Sequence, residues 1–147
     1  MNNKNSMKLS FESRSCNESF ARAAVASFIL PLDPTVYEVA DIRTAVSEAV
    51  TNAIVHAYPD TFGTVYIDAK ITESNRLIIR IRDKGVGIPD IQKAMEPLYS
   101  TSTDERAGLG FSVMQSFTDK LKVKSSVGKG TTITMEKQLS SHEHSEG

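Results

Sequence analysis

A single cysteine, Cys16, stands among 147 residues. No internal disulfide can form, which excludes the stapled secreted scaffolds and fits a reducing, cytoplasmic setting. No apolar run approaches the ~20 residues that a membrane-spanning helix needs. Met1-Asn2-Asn3-Lys4-Asn5-Ser6 has no apolar stretch, so no signal peptide is expected. Charge of one sign is not in excess either: 17 Lys and Arg against 18 Asp and Glu leave a formal net charge of −1. A dedicated nucleic-acid binder carries a basic stripe, so direct nucleic-acid contact is not expected. No internal repeat is visible. A P-loop is also missing. Gly128-Lys129-Gly130-Thr131 hints at one, but the pattern needs a glycine where Val123 stands, and Ser or Thr after the lysine where Gly130 stands. A hairpin turn is the better reading, with Thr131 still able to reach a ligand.

What is there suits one domain. A chain of this length buries roughly 70% of its unfolded surface. With 39% hydrophobic and 24% charged residues it has a soluble composition. The domain is expected over 7–138, with disordered tails at 1–6 and 139–147. His142 and His144 read as tail residues rather than metal ligands.

Met7, Leu9 and Phe11 alternate with polar residues, a half-buried strand. Ser15-Cys16-Asn17-Glu18 has a capping-box pattern, predicting a helix from Cys16 to about Leu30. Pro31-Leu32-Asp33-Pro34 breaks it. Asp33 is the expected cap of a second helix, with Pro34 at its first position and Pro59 stopping it after Ala57. Strands are predicted over Thr64–Ile71 and Leu77–Arg82, around a turn at Glu73-Ser74-Asn75. A loop with one helical turn follows over Ile88–Leu98, then a Ser/Thr-rich stretch over Tyr99–Ala107. A helix is expected from Leu109 to Thr118, and strands over Leu121–Ser126 and Thr131–Lys137. The order predicts an α+β two-layer sandwich, with helices on one face of a mixed, mostly antiparallel sheet.

Three segments carry the chemistry. In the second helix, Val46, Val50, Ala53, Ile54 and Ala57 form an apolar stripe, and Glu48, Asn52 and His56 lie roughly opposite. A solvated face would satisfy that pattern. The functional reading is sharper: an Asn carboxamide oxygen is a hard ligand for Mg²⁺. A Glu one turn earlier can take a proton from an attacking hydroxyl. His56 fits a structural role better than a catalytic one. Next, Asp83 ends an apolar strand and is followed by Gly85 and Gly87. A carboxylate there can accept from the adenine amino group and would reject guanine, which presents oxygen. An ordinary Asp-x-Gly turn is the plain alternative. Last, Gly108-Leu109-Gly110-Phe111 opens a helix, where free N–H groups can cradle phosphate. Arg106, just upstream, can balance charge on a terminal phosphate or lie in solvent.

These segments, in this order, resemble the three nucleotide-binding boxes of the GHKL ATPase/kinase superfamily. Within it, Ser47–Ile54, Asp83–Ile91 and Gly130-Thr131-Thr132 are similar to the anti-sigma F family of spore formers, over about residues 7–138. The resemblance implies a Bergerat-type fold binding ATP or ADP with Mg²⁺. It implies a serine/threonine protein kinase acting on an anti-anti-sigma factor. It further implies a homodimer that binds sigma F and blocks its use by RNA polymerase during sporulation. On that resemblance Glu48 is the catalytic base and Asn52 the Mg²⁺ ligand. Asp83 reads adenine; Gly85, Gly87, Ile88, Ser100, Thr101, Gly108, Leu109, Gly110 and Thr131 line the nucleotide; and Arg106 meets the terminal phosphate. Glu18 and Arg22 map to the surface both protein partners use. The chain departs from the family in Tyr99–Glu105, which has no Lys or Arg where the family usually carries one after a Thr-Thr or Thr-Ser pair. Three other readings stay open: a general-stress-type anti-sigma kinase, a histidine-kinase catalytic domain, and a nucleotide-gated sequestering module with little catalysis. The second is disfavoured because little chain precedes the domain to carry a phosphoacceptor helix.

Overall fold

The computed structural model describes residues 3–94 and 110–140. Five strands form one sheet: β1 (Asn3–Glu12), β2 (Thr64–Thr72), β3 (Arg76–Asp83), β4 (Lys120–Ser126) and β5 (Gly130–Gln138). Their spatial order is β1-β2-β3-β5-β4, and every neighbouring pair is antiparallel. The expected mixed sheet is therefore wholly antiparallel. The β4–β5 hairpin folds back so that β5 lies between β3 and β4, and these two, which run parallel, never touch. β1 starts at Asn3 rather than Met7, so residues 3–6 of the expected tail belong to the sheet. At the other end Leu139 is buried and its N–H donates to the Asn75 carbonyl at 3.0 Å.

The helices cover one face. α1 (Asn17–Ile29) buries Ala21, Val25 and Ile29, four residues apart. The capping box expected at Ser15 does not form: the Glu18 N–H donates to the Ser15 carbonyl, at 3.2 Å, and the Glu18 side chain turns to the neighbouring helix. α2 (Val36–Thr51) is capped by Thr35, not Asp33. Asp33 takes a left-handed conformation (φ 54°) and closes a short 3₁₀ turn at Leu30–Leu32. Thr35 Oγ1 accepts the Glu38 N–H at 3.0 Å, and Glu38 Oε1 accepts the Thr35 N–H at 2.9 Å, a complete capping box. α2 buries Ile42, Ala45, Val46, Ala49 and Val50. α3 (Ile91–Ala94) is a single turn and α4 (Phe111–Phe117) buries Phe111 and Met114.

Inward sheet positions are apolar almost throughout: Val65, Ile67, Ala69, Ile71, Leu77, Ile79, Ile81, Ile133 and Met135 are all buried. The last row of the register differs. It runs Phe11, Val65, Asp83, Thr131, Ser125 across the five strands. Three polar residues thus replace the core at one end of the sheet.

Candidate functional site

The expected second helix does not run on as one α-helix to Ala57. It changes to a π-helical turn at Asn52–Ala57, ending at Tyr58. Single π turns are rare and widen the helix locally. Here the change begins at Asn52. The Asn52 carboxamide has no hydrogen-bond partner among the described residues, and its Nδ2 is buried. A buried amide nitrogen without a partner costs about 1–3 kcal/mol. Such a cost is tolerated where an acceptor atom of a ligand meets the N–H group, and the oxygen of the same carboxamide is a suitable donor to a hard cation.

Asp83 faces the same narrow pocket, which Asn52, His56, Gly87, Ile88 and Thr131 also line. The Asp83 Oδ1 accepts the Gly85 N–H at 2.9 Å and the Thr131 N–H at 3.2 Å. No described residue donates to Oδ2. Burial pushes the carboxyl above its ordinary value, and the two N–H groups oppose that shift. The carboxylate is fixed by one oxygen and presents the other.

The loop after Asp83 is clamped from both sides. Val86 N–H donates to the Ala57 carbonyl at 2.9 Å, and Gly128 N–H to the Val86 carbonyl at 2.8 Å. Gly85 passes so close to Ala57 that a Cβ would overlap the Ala57 carbonyl. Ser125, inward on β4, is the hub. Its Oγ accepts the Ile88 N–H at 2.8 Å, donates to the Gly130 carbonyl at 3.0 Å and lies 2.8 Å from Thr131 Oγ1. Tyr58 completes the clamp: its hydroxyl accepts the Lys84 N–H at 2.7 Å and donates to the Thr64 carbonyl at 2.8 Å. Sequence reasoning missed both. The signal for Ser125 was a hydroxyl where the Leu121, Val123 alternation calls for an apolar residue. Tyr58 gave no signal beyond its place before Pro59.

Glu48 lies in the next depression, a groove of about 810 Å³ between α1 and α2 that Glu18, Arg22, Arg43 and Ser47 also line. Its carboxylate abuts Gly110, at the start of α4. Gly110 has φ 71°, and a Cβ there would fall on Glu48 Oε1. Burial raises the Glu48 carboxyl above its ordinary value, and the nearby Glu18 carboxylate raises it further. Glu18 is held in turn. Arg22 Nη1 lies 3.5 Å from Glu18 Oε2 and donates to Ser47 Oγ at 3.3 Å, and Thr51 Oγ1 donates to Glu18 Oε2 at 3.4 Å. The structure thus brings Asn52, Asp83, Gly85, Gly87, Ile88 and Thr131 together. Glu48, Gly110, Glu18 and Arg22 adjoin them on the α1–α2 side. Ser100, Thr101, Arg106, Gly108 and Leu109 lie outside the described residues, as do His142 and His144. No group of three or more metal-ligating side chains exists among the described residues, and no helix among them is long and apolar enough to cross a membrane.

A helical layer on one open antiparallel sheet, with a carboxamide and a buried carboxylate facing one pocket at the sheet end, defines a nucleotide-binding domain of the GHKL class. The chain matches the model of the histidine kinase-like ATPase domain over residues 14–137. Its fold is also found in one third of the chain in the structure of the RsbU and RsbW domains of a Mycobacterium tuberculosis protein. That likeness has TM-score 0.69 and 17% identity, over 92% of this chain and 33% of that one. An anti-sigma F factor of a Thermoanaerobacter species is 54% identical over 138 residues, 93% of this chain and 96% of that protein. The anti-sigma F factor of Clostridium acetobutylicum is 54% identical over 136 residues, 92% of this chain and 94% of that protein. The chain belongs to the anti-sigma F factor family.

Proposed function

We propose that this chain is a cytoplasmic anti-sigma factor that works as an ATP-dependent serine kinase. In this reading a homodimer sequesters sigma F during sporulation, and the same protein transfers the ATP γ-phosphate to a serine of an anti-anti-sigma partner. The observation that carries the reading is the Asn52 carboxamide, whose buried Nδ2 has no partner among the described residues and which lines the pocket that holds Asp83. Asp83 Oδ2 accepts from the adenine amino group while Gly85 and Thr131 fix Oδ1. Gly87 and Ile88 form the adenine wall, held by Ser125. Asn52 would hold Mg²⁺, which when bound neutralises phosphate charge and orients the terminal phosphoryl group.

Glu48 takes the proton from the serine hydroxyl. Burial and the Glu18 carboxylate favour a base that is stronger than an ordinary glutamate. The groove beside it, with Glu18 and Arg22, is the entry for the partner's serine. Gly108, Leu109, Gly110, Ser100 and Thr101 enclose the phosphates, and Arg106 balances charge on the terminal one. Adenine preference and metal-dependent ATP affinity are both required. The test is phosphate transfer from radiolabelled ATP to the anti-anti-sigma factor, with sigma F binding measured in parallel. Glu48→Ala should keep nucleotide affinity and lose about 10²–10⁴ in transfer rate. Wild-type transfer by that variant would remove Glu48 from the mechanism. Tight sigma binding with no transfer by the native protein would favour a sequestering module instead.

A further inference from the structure

The sheet face away from the helices carries a second feature. Its outward positions place Arg80 and Arg82 on β3 and Lys122 and Lys124 on β4, with Thr134 and Thr132 of β5 directly between them in register. Lys120 extends the β4 row, and these residues line one groove of about 470 Å³. The chain as a whole has a net charge of −1, so this concentration of positive charge is local. None of these five cations is ion-paired among the described residues. Of the carboxylates on this face, Glu136 lines the groove and is already taken by Arg76 Nε at 2.7 Å, and Asp68 stands opposite Arg80 on β2 without an ion pair among the described residues. Arg82 lies over the Tyr66 ring at 4.7 Å, which holds its guanidinium along the face.

The spacing selects a ligand. Two rows flanking one strand stand about 9.6 Å apart, and alternate residues along each strand repeat at about 6.8 Å. A second extended polypeptide has the same repeat, so carboxylates at every other residue meet the cations in register. The hydroxyls of Thr132 and Thr134 form a polar floor able to bond its peptide groups. Single-stranded nucleic acid binds through stacking aromatics, and no aromatic residue lines the groove. We propose that this groove binds an extended acidic segment of a protein partner, with Asp or Glu at alternate positions. The site is on the opposite side of the sheet from the α1–α2 groove, so a segment bound there leaves the kinase face open.

The test is fluorescence anisotropy at low salt on the full chain with three labelled probes. One is a short peptide with Glu and Ser alternating; the second has the same composition with its Glu residues in one block; the third is a single-stranded oligonucleotide of equal charge. The alternating peptide should bind saturably and at least about fivefold tighter than the other two. The double variant Lys122→Gln/Lys124→Gln should weaken it about 2- to 25-fold, since each exposed ion pair is worth about 1.4- to 5-fold. Lys70→Gln, on the same face outside the groove, should leave it unchanged. Equal affinity for the two peptides, tighter oligonucleotide binding, equal loss in the Lys70 variant, or no saturable binding would each overturn the proposal. All variants are at exposed positions, and unchanged circular dichroism melts check that they fold.

Discussion

Replacing Asp83 with asparagine separates recognition from folding. In Asp83→Asn the carboxamide oxygen can still accept both the Gly85 and Thr131 N–H groups, so the clamp on Oδ1 survives. The outer atom changes from acceptor to donor and meets the adenine amino group with like polarity. Losing a hydrogen bond to a charged acceptor and leaving that donor unpaired removes about 2–3 kcal/mol, or roughly 30- to 160-fold in ATP affinity. Stability should move the other way with pH. The folded Asp83 carboxyl sits above its ordinary value, chiefly through burial. Between the ordinary and the raised value the folded state keeps a proton that the unfolded chain has released. Wild-type stability therefore falls as pH rises through that window and stays lower at neutral pH. Asparagine lacks this term, so the variant should compare better with wild type at pH 7 than at pH 3. The assays are equilibrium binding of ATP, ADP and GTP, and urea unfolding at both pH values. If the variant bound ATP as tightly as wild type, Asp83 would not read the base. If it unfolded at neutral pH, the argument that Oδ1 only needs an acceptor would be wrong.

Ser125→Ala strips the Ile88 N–H and Thr131 hydroxyl of a partner and should cost about 1–3 kcal/mol in denaturant unfolding, with nucleotide affinity falling alongside; an unchanged midpoint would show that another group holds the loop. Thr35→Ala removes the α2 cap and should cost about 1 kcal/mol without altering nucleotide binding. Glu48→Gln should gain stability relative to wild type as pH rises above the ordinary carboxyl range, because the raised Glu48 carboxyl makes ionisation unfavourable in the fold. A pH-independent difference in unfolding midpoints would contradict that assignment.

The helical stripe of α2 and the alternation in β2, β3 and β5 were legible because burial imposes a period on the sequence. The pairing order was not, since alternation names strands but not neighbours; β5 between β3 and β4 is a tertiary choice. The early start of β1 was hidden because Asn3, Lys4 and Asn5 show no apolar alternation; Asn3 and Asn5 pair with β2 around an irregularity at Lys4. The π turn was equally hidden, because an i→i+5 bond leaves no period of its own in one turn. At the site, Asp83 and Asn52 were readable as residue types at a spacing. That their polar atoms face one pocket was readable only from the row Asp83, Thr131, Ser125 and from the widening at Asn52. Thr35 was overlooked because Asp33 and Pro34 offered an equally good local cap until φ at Asp33 turned positive.

The contact between Gly110 and Glu48 bears on how this gene can vary. Every single-base change in a glycine codon that alters the amino acid adds a β-carbon or stops translation. At position 110 any β-carbon lands on the carboxylate oxygen, not on the apolar interior. Alleles there should mis-set the acid group while leaving the apolar interior intact, so a screen for variants that accumulate as folded protein yet fail to transfer phosphate should collect substitutions at this codon.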